Sequence, residues 1–246
     1  MELVSVGITE SPRAEFREAI TVKGFLDASF VDWSDKITSV LFLPGCNFRC
    51  PFCHNHSLVL NPDIYEDIPL GHILRRLTEL KTWVDGVCIT GGEPALYCHL
   101  PILIERIKEL GFPVKLDTNG SRPDILRGLV ERGLVDFVAM DVKAPLDEKS
   151  YSAATGVPVY LENIKESIDL LRRGSVKYQF RTTVVPALHR EEDLLELARQ
   201  LRGSSSLALQ NFDSQDPLDQ SLRGTSPYSE EWIAKMEERI VSILGQ

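Results

Sequence analysis

Residues 39–54 read SVLFLPGCNFRCPFCH. The first five, Ser39–Leu43, form an apolar, partly β-branched run of strand length. Pro44 and Gly45 then end it. Cys46, Cys50 and Cys53 follow in Cys-x3-Cys-x2-Cys spacing. A strand therefore hands three thiols to the loop beyond its carboxyl end, and the rest of the chain can be measured against this unit.

The unit recurs. Leu70, Ile73, Leu74, Leu77 and Leu80 line one helical face, and Gly86–Thr90 reads as the next strand. Leu103, Ile107 and Leu110 share a face before a strand at Pro113–Asp117, and Pro123 is well placed to open the following helix. Val135–Asp141, Tyr178–Val185 and Ser206–Asn211 complete six strands. Between them lie helices marked by Ile164, Ile168 and Leu171, and by Leu194, Leu197, Ala198 and Leu201. Ser229–Leu244 reads as a closing helix. Six βα units in succession predict an α/β fold with parallel strands. A doubly wound sheet and a partial (β/α)6 TIM-like barrel both satisfy that pattern. Residues 1–21 read as an N-terminal extension and 22–246 as a single domain. Its core covers about 37–212, with a tail and helix over 213–246.

Unusual residues fall at matching places. Gly91-Gly92-Glu93-Pro94 follows the second strand, Asp117-Thr118-Asn119 closes the third, Asp141 and Lys143 end the fourth, and Asn211 ends the sixth. Active sites of parallel α/β folds lie at the carboxyl ends of the strands. One end of the sheet should therefore carry the chemistry.

The chain has 246 residues and a net charge of −9. That balance argues against nucleic acid, whose phosphates need clustered Lys and Arg. No apolar run is long enough for a membrane span, and the first sixteen residues show no signal-peptide pattern. Five cysteines, three of them within eight residues, do not suit a secreted disulfide scaffold. A cytoplasmic, reducing setting is expected.

Thiolates bind soft or borderline metals. A zinc site would need a fourth ligand, from His54 or His56. A 4Fe-4S cluster held by three thiolates keeps one iron open to a small molecule. Both readings fit the spacing. Cys88 reads as a small buried apolar residue, and Cys98 has no assigned role. Phe52 fits either packing or contact with a flat ring.

The cysteine loop after the first strand, with Gly91–Pro94 after the second, resembles the radical S-adenosylmethionine superfamily. A closer likeness runs over about residues 22–235. The stretches GFLDASFVDWSDKITSVLFLPGCNFRCPFCHN, GVCITGGEP, VKLDTNG, VDFVAMDVKAP and FRTTVVPALH resemble the activating proteins of anaerobic ribonucleoside-triphosphate reductase, a glycyl-radical enzyme activase family. The resemblance implies a 4Fe-4S cluster on Cys46, Cys50 and Cys53, with S-adenosyl-L-methionine on its open iron. Reductive cleavage would yield a 5′-deoxyadenosyl radical that takes a hydrogen from a glycine of a partner enzyme. Reduced flavodoxin or ferredoxin would supply the electron.

In that setting Phe52, Gly91, Gly92, Glu93 and Pro94 would surround the ligand, with Glu93 either meeting its amino group or holding the loop. Asp117, Thr118 and Asn119 would face its methionyl end or a monovalent cation, against the alternative of an Asx-type turn. Asp141 and Lys143, two apart on one face, would lie beside the ligand, with Lys143 meeting a carboxylate or ribose oxygen, against the alternative of a surface ion pair. Arg181 would line the barrel, and Asn211 would reach the adenosine. Residues 57–68 hold no cysteine, so no second cluster is expected. The runner-up function is a radical enzyme acting on a small molecule or RNA base. A non-enzymatic zinc or iron–sulfur module is the reading from another class.

Overall fold

A computed structural model describes residues 20–245, so the expected extension lies, up to residue 19, outside the described residues. Among the described residues seven strands form one sheet in sequence order: β1 Gly24–Ser29, β2 Thr38–Leu43, β3 Gly86–Gly91, β4 Val114–Thr118, β5 Phe137–Asp141, β6 Lys177–Val184 and β7 Leu207–Asn211. From β2 to β7 every neighbouring pair is parallel. The crossovers carry helices α1 His56–Leu60, α2 Leu70–Glu79, α3 Leu100–Glu109, α4 Pro123–Glu131, α5 Glu148–Thr155, α6 Leu161–Arg172 and α7 Glu191–Gln200. Helix α8, Glu230–Leu244, follows β7. This is the α/β partial barrel. The six expected strands are present, shifted by no more than two residues at either end.

Three elements were not expected: strand β1, helix α5 and the five-residue helix α1, which lies in the loop expected after the first strand. Strand β1 pairs antiparallel with β2, Gly24 opposite Phe42 and Ser29 opposite Thr38, so the sheet is mostly rather than wholly parallel. Its sequence, GFLDAS, is half exposed and carries no apolar run, because an edge strand has only one face to bury. Helix α5 is amphipathic only through Tyr151 and Ala154, which are buried. Its ends supply the signal that its body lacks. Asp147 caps it by accepting from Ser150 N at 2.9 Å, and Gly156 closes it in the left-handed region.

The inner strands are buried on both sides: every residue of β4, and Val87, Cys88 and Ile89 of β3. One side faces the helices through Leu103, Ile107, Leu126 and Ile164. The other side faces the barrel interior, where Lys115, Asp117, Asp141 and Arg181 are collected. Trp33, on the β1–β2 connection, lies with its ring 5.9 Å from that of Phe137 at the start of β5. That connection therefore lies against the amino ends of the strands. The opposite end is left to the loops that carry the unusual residues. No helix among the described residues is long and apolar enough to cross a membrane.

Candidate active site

Two loops at the carboxyl ends of β2 and β3 are tied backbone to backbone. Gly92 N donates to Leu43 O at 2.8 Å and Glu93 N to Gly45 O at 2.7 Å. The Asn55 amide donates to Gly91 O at 2.9 Å. A side chain on Gly92 would put its Cβ 1.7 Å from Gly45 O, and one on Gly91 would sit 2.4 Å from Leu43 O. These glycines are therefore required by the approach of the cysteine loop itself.

Glu93 is almost fully buried and makes the next tie. Its Oε1 accepts from Ala95 N at 2.9 Å and from the Thr118 hydroxyl at 2.6 Å, and Oε2 accepts from Asn119 N at 2.6 Å. Of the two roles weighed for Glu93, holding the loop accounts for all three donors. Burial pushes its carboxyl up to about 7 against the pull of those donors. Pro94 sits behind it, opening a short 3-10 turn over Pro94–Leu96.

Asn119 forms the Asx-type turn, its Oδ1 accepting from Ser121 N at 2.9 Å. Its amide also reaches Asn47 Oδ1 at 3.0 Å and lies 3.8 Å from Cys46 Sγ. The cysteine loop is fastened from a third direction, by Arg49 N donating to Thr155 O at 2.8 Å.

Below the loops a chain of ion pairs crosses the barrel interior. Lys115 donates to Asp117 Oδ1. Arg181 then joins Asp117 Oδ2 at 3.1 Å to Asp141 Oδ1 at 2.9 Å, and Lys143 Nζ takes Asp141 Oδ2 at 2.9 Å. Register explains the contacts, since Asp141 lies directly opposite Arg181 on the neighbouring strand. Burial opposes charge on Asp141, but Arg181 and Lys143 hold its carboxyl down at about 2. Burial likewise opposes charge on Lys143, yet Asp141 keeps its ammonium above the ordinary lysine value. Lys143 Nζ also lies 5.8 Å from the centre of the Phe52 ring. All four carboxylate oxygens of Asp117 and Asp141 thus face a side-chain cation.

A cavity of about 300 Å3 brings these groups together. Cys46, Cys50, Phe52, Cys53, Gly91, Gly92, Glu93, Asp117, Thr118, Asn119, Asp141, Lys143 and Arg181 all line it. Asn211 does not. It is exposed, and its amide is spent on Tyr228 O at 2.6 Å. The preceding residue, Gln210, lines the cavity instead, as strand alternation requires. His54, weighed above as a zinc ligand, and Thr183, two along the strand from Arg181, also line it, and so does Asp32, which was not proposed. His56 points away, to Asp216 at 3.2 Å, and Cys98 is exposed. Cys88 is buried as expected, but among polar groups, with Lys115 Nζ 3.8 Å from its sulfur.

The cysteines can be tested against the two metals. Burial pushes the Cys46 thiol up to about 11 and the Cys50 thiol up to about 12, and raises Cys53. Lys143 acts in the opposite sense on all three. A metal bound there would take the place of their protons. One zinc ion would draw its ligand atoms within a few ångström of each other. Among the described residues, the group of three candidate ligand atoms lying within 4.8 Å of one another is Asp32, Cys88 and Asp117. The loop cysteines form no such group, and a cluster in which each thiolate takes its own iron requires none.

Comparison with known proteins agrees. The family model described as the radical SAM superfamily matches residues 40–201. A protein of Methanocaldococcus jannaschii, provisionally named as a glycyl-radical enzyme activating enzyme, is 34% identical over 212 residues, covering 82% of this chain and 84% of that protein. The 7-carboxy-7-deazaguanine synthase of Thermococcus kodakarensis is 30% identical over 185 residues, covering 68% and 70%. In fold, the crystal structure of Streptococcus suis SuiB bound to S-adenosylmethionine superposes with a TM-score of 0.61 at 18% identity. That match covers 82% of this chain and 48% of that one, so this chain spans about half its length. The three-cysteine loop, its docking onto Gly91–Pro94, the partial barrel and the matching family model together place this chain in the radical S-adenosylmethionine superfamily.

Proposed function

We propose that this radical S-adenosylmethionine enzyme is an activase, taking a hydrogen from a glycine of a partner glycyl-radical enzyme such as anaerobic ribonucleotide reductase. Cys46, Cys50 and Cys53 would hold a 4Fe-4S cluster, with S-adenosylmethionine beside it. When bound and reduced, as by flavodoxin or ferredoxin, such a cluster would supply the electron for cleaving the sulfonium to a 5′-deoxyadenosyl radical. The protein's share is placement and shelter. Lys143 and Arg181 offer cations to the ligand's carboxylate. The Asn119 side chain and the backbone after β3 form the wall beside Cys46. Phe52 covers the inner side of the loop.

The observation that carries the reading is the size of the cavity. About 300 Å3 is at the low end for a ligand pocket, and a cluster with its nucleoside ligand would fill it. The tail after β7 contributes none of the lining residues. It fastens instead to the outer side of the cysteine loop, through Asp219 N to Pro51 O at 2.8 Å and Asp216 to His56. Among the described residues the tail thus leaves the cavity mouth uncovered, where a large protein can close it. The likeness to the Methanocaldococcus protein supports the same assignment. The test is electron paramagnetic resonance after anaerobic incubation with candidate glycyl-radical enzymes, where a glycyl doublet is expected.

The likeness to 7-carboxy-7-deazaguanine synthase favours a second reading, chemistry on a small molecule. Turnover of a purine-like compound without any protein partner would establish it. One zinc per chain, with no labile sulfide, would instead make the chain a metal-binding module.

A further inference from the structure

The ion-pair chain in the barrel begins one layer deeper than the cavity needs, at Lys115. This lysine is 3% exposed and sits mid-strand on β4. Its Nζ donates to Asp117 and lies 3.8 Å from the Cys88 sulfur, with Cys88 directly opposite on β3. Burial pushes the Cys88 thiol well above its ordinary value, so Cys88 stays neutral and gives Lys115 no charge partner. Asp32 completes the group. An oxygen of Asp32, the Cys88 sulfur and an oxygen of Asp117 all lie within 4.8 Å of one another. Two carboxylates so close repel strongly in a site shielded from water, and Lys115 is the cation bonded there.

The consequence runs upward. Asp117 divides its oxygens between Lys115 and Arg181, and Arg181 divides its guanidinium between Asp117 and Asp141. Asp141 in turn holds Lys143. Without the charge of Lys115, Asp117 has Arg181 as its remaining bonded cation and draws it from Asp141. Asp141 then draws Lys143 down from the cysteine loop.

We propose that Lys115, balanced by Asp32, is a positioning residue for the reaction: through Asp117, Arg181 and Asp141 it sets Lys143 at the height where the cofactor binds. The inference rests on reading the cavity as the S-adenosylmethionine site.

The test is calorimetric binding of S-adenosylmethionine to the anaerobically reconstituted full chain, with iron content and thermal midpoint measured beside it. Lys115→Met is expected to weaken binding about tenfold at unchanged iron content, raising KM for cofactor cleavage with kcat within about twofold. Adding Asp32→Asn removes the unbalanced carboxylate and should restore most of the affinity. A residue that only supports the fold would lower the thermal midpoint and leave the affinity of the folded protein alone. Should Lys115→Met fail to fold, Lys115→Gln keeps a donor for Asp117 without the charge and carries the same expectation. Unchanged affinity in a folded Lys115 variant, or no recovery with Asp32→Asn, overturns the proposal alone. No binding by the unmodified reconstituted protein overturns the reading of the cavity, and the proposal with it.

Discussion

The buried carboxylate of Glu93, after β3, accepts the Thr118 hydroxyl, at the end of β4, at 2.6 Å. This bond joins the loop that docks the cysteines to the turn that touches Cys46. Burial pushes the Glu93 carboxyl up from 4.5 to about 7. A carboxyl raised on folding stabilises most below its unfolded value and loses that contribution as pH rises through the folded one. Between pH 4.5 and 7, apo-protein stability should therefore fall relative to a Glu93→Gln variant, by about 3 kcal/mol. Urea unfolding of both proteins across this range checks it, and parallel curves would contradict it.

Gly92 admits no side chain, because a Cβ there lies 1.7 Å from Gly45 O. Gly92→Ala must push the cysteine loop off β3. Destabilisation of about 3 kcal/mol or more is expected, together with failure to retain iron on reconstitution. Denaturant midpoints and iron analysis report the two effects separately.

Asp141 sits between Arg181 and Lys143. Asp141→Asn leaves both cations short of their counter-charge and should cost about 3–5 kcal/mol. The native contribution is present above the unfolded value of 3.8 and disappears as pH falls through about 2. The difference between the two proteins should therefore be full at pH 6 and shrink toward pH 2, as measured by chemical unfolding.

In the apo protein the Cys46 thiol is pushed up to about 11. Only the thiolate alkylates. Its reaction with iodoacetamide should therefore speed up about tenfold per pH unit from pH 7 to 10, followed by peptide mass spectrometry. A rate that levels off near pH 8 would contradict the buried setting.

Much of this was legible in the sequence. Parallel strands buried on both faces show up as apolar runs, and the loops beyond them as Pro44-Gly45, Gly91-Gly92 and Asp117–Asn119. What could not be read was carried by weak or distant signals. Strand β1 buries little, with Leu26 and Ala28 exposed on one face, so it offers no run. Asn211 and Gln210 are neighbours, and only the register of β7 decides which one faces the cavity. Asp32 reaches the barrel floor from a loop, a contact that local pattern does not encode. Lys115 did leave a trace: a lysine inside the apolar stretch VKLDT, two residues before Asp117, belongs on the same buried face as that aspartate. The Glu93 ties join three loops over long sequence separations, and local spacing holds no record of them.

One anaerobic measurement separates a glycyl-radical activase from an enzyme of small molecules. The reconstituted chain, S-adenosylmethionine and a one-electron reductant are incubated with a candidate glycyl-radical enzyme, while 5′-deoxyadenosine and the radical signal are followed together. An activase forms 5′-deoxyadenosine in step with a glycyl doublet on the partner, and both are lost when Cys46, Cys50 or Cys53 is replaced by Ala. Cleavage without a glycyl signal on any such partner, coupled instead to conversion of a small molecule, would contradict the activase assignment.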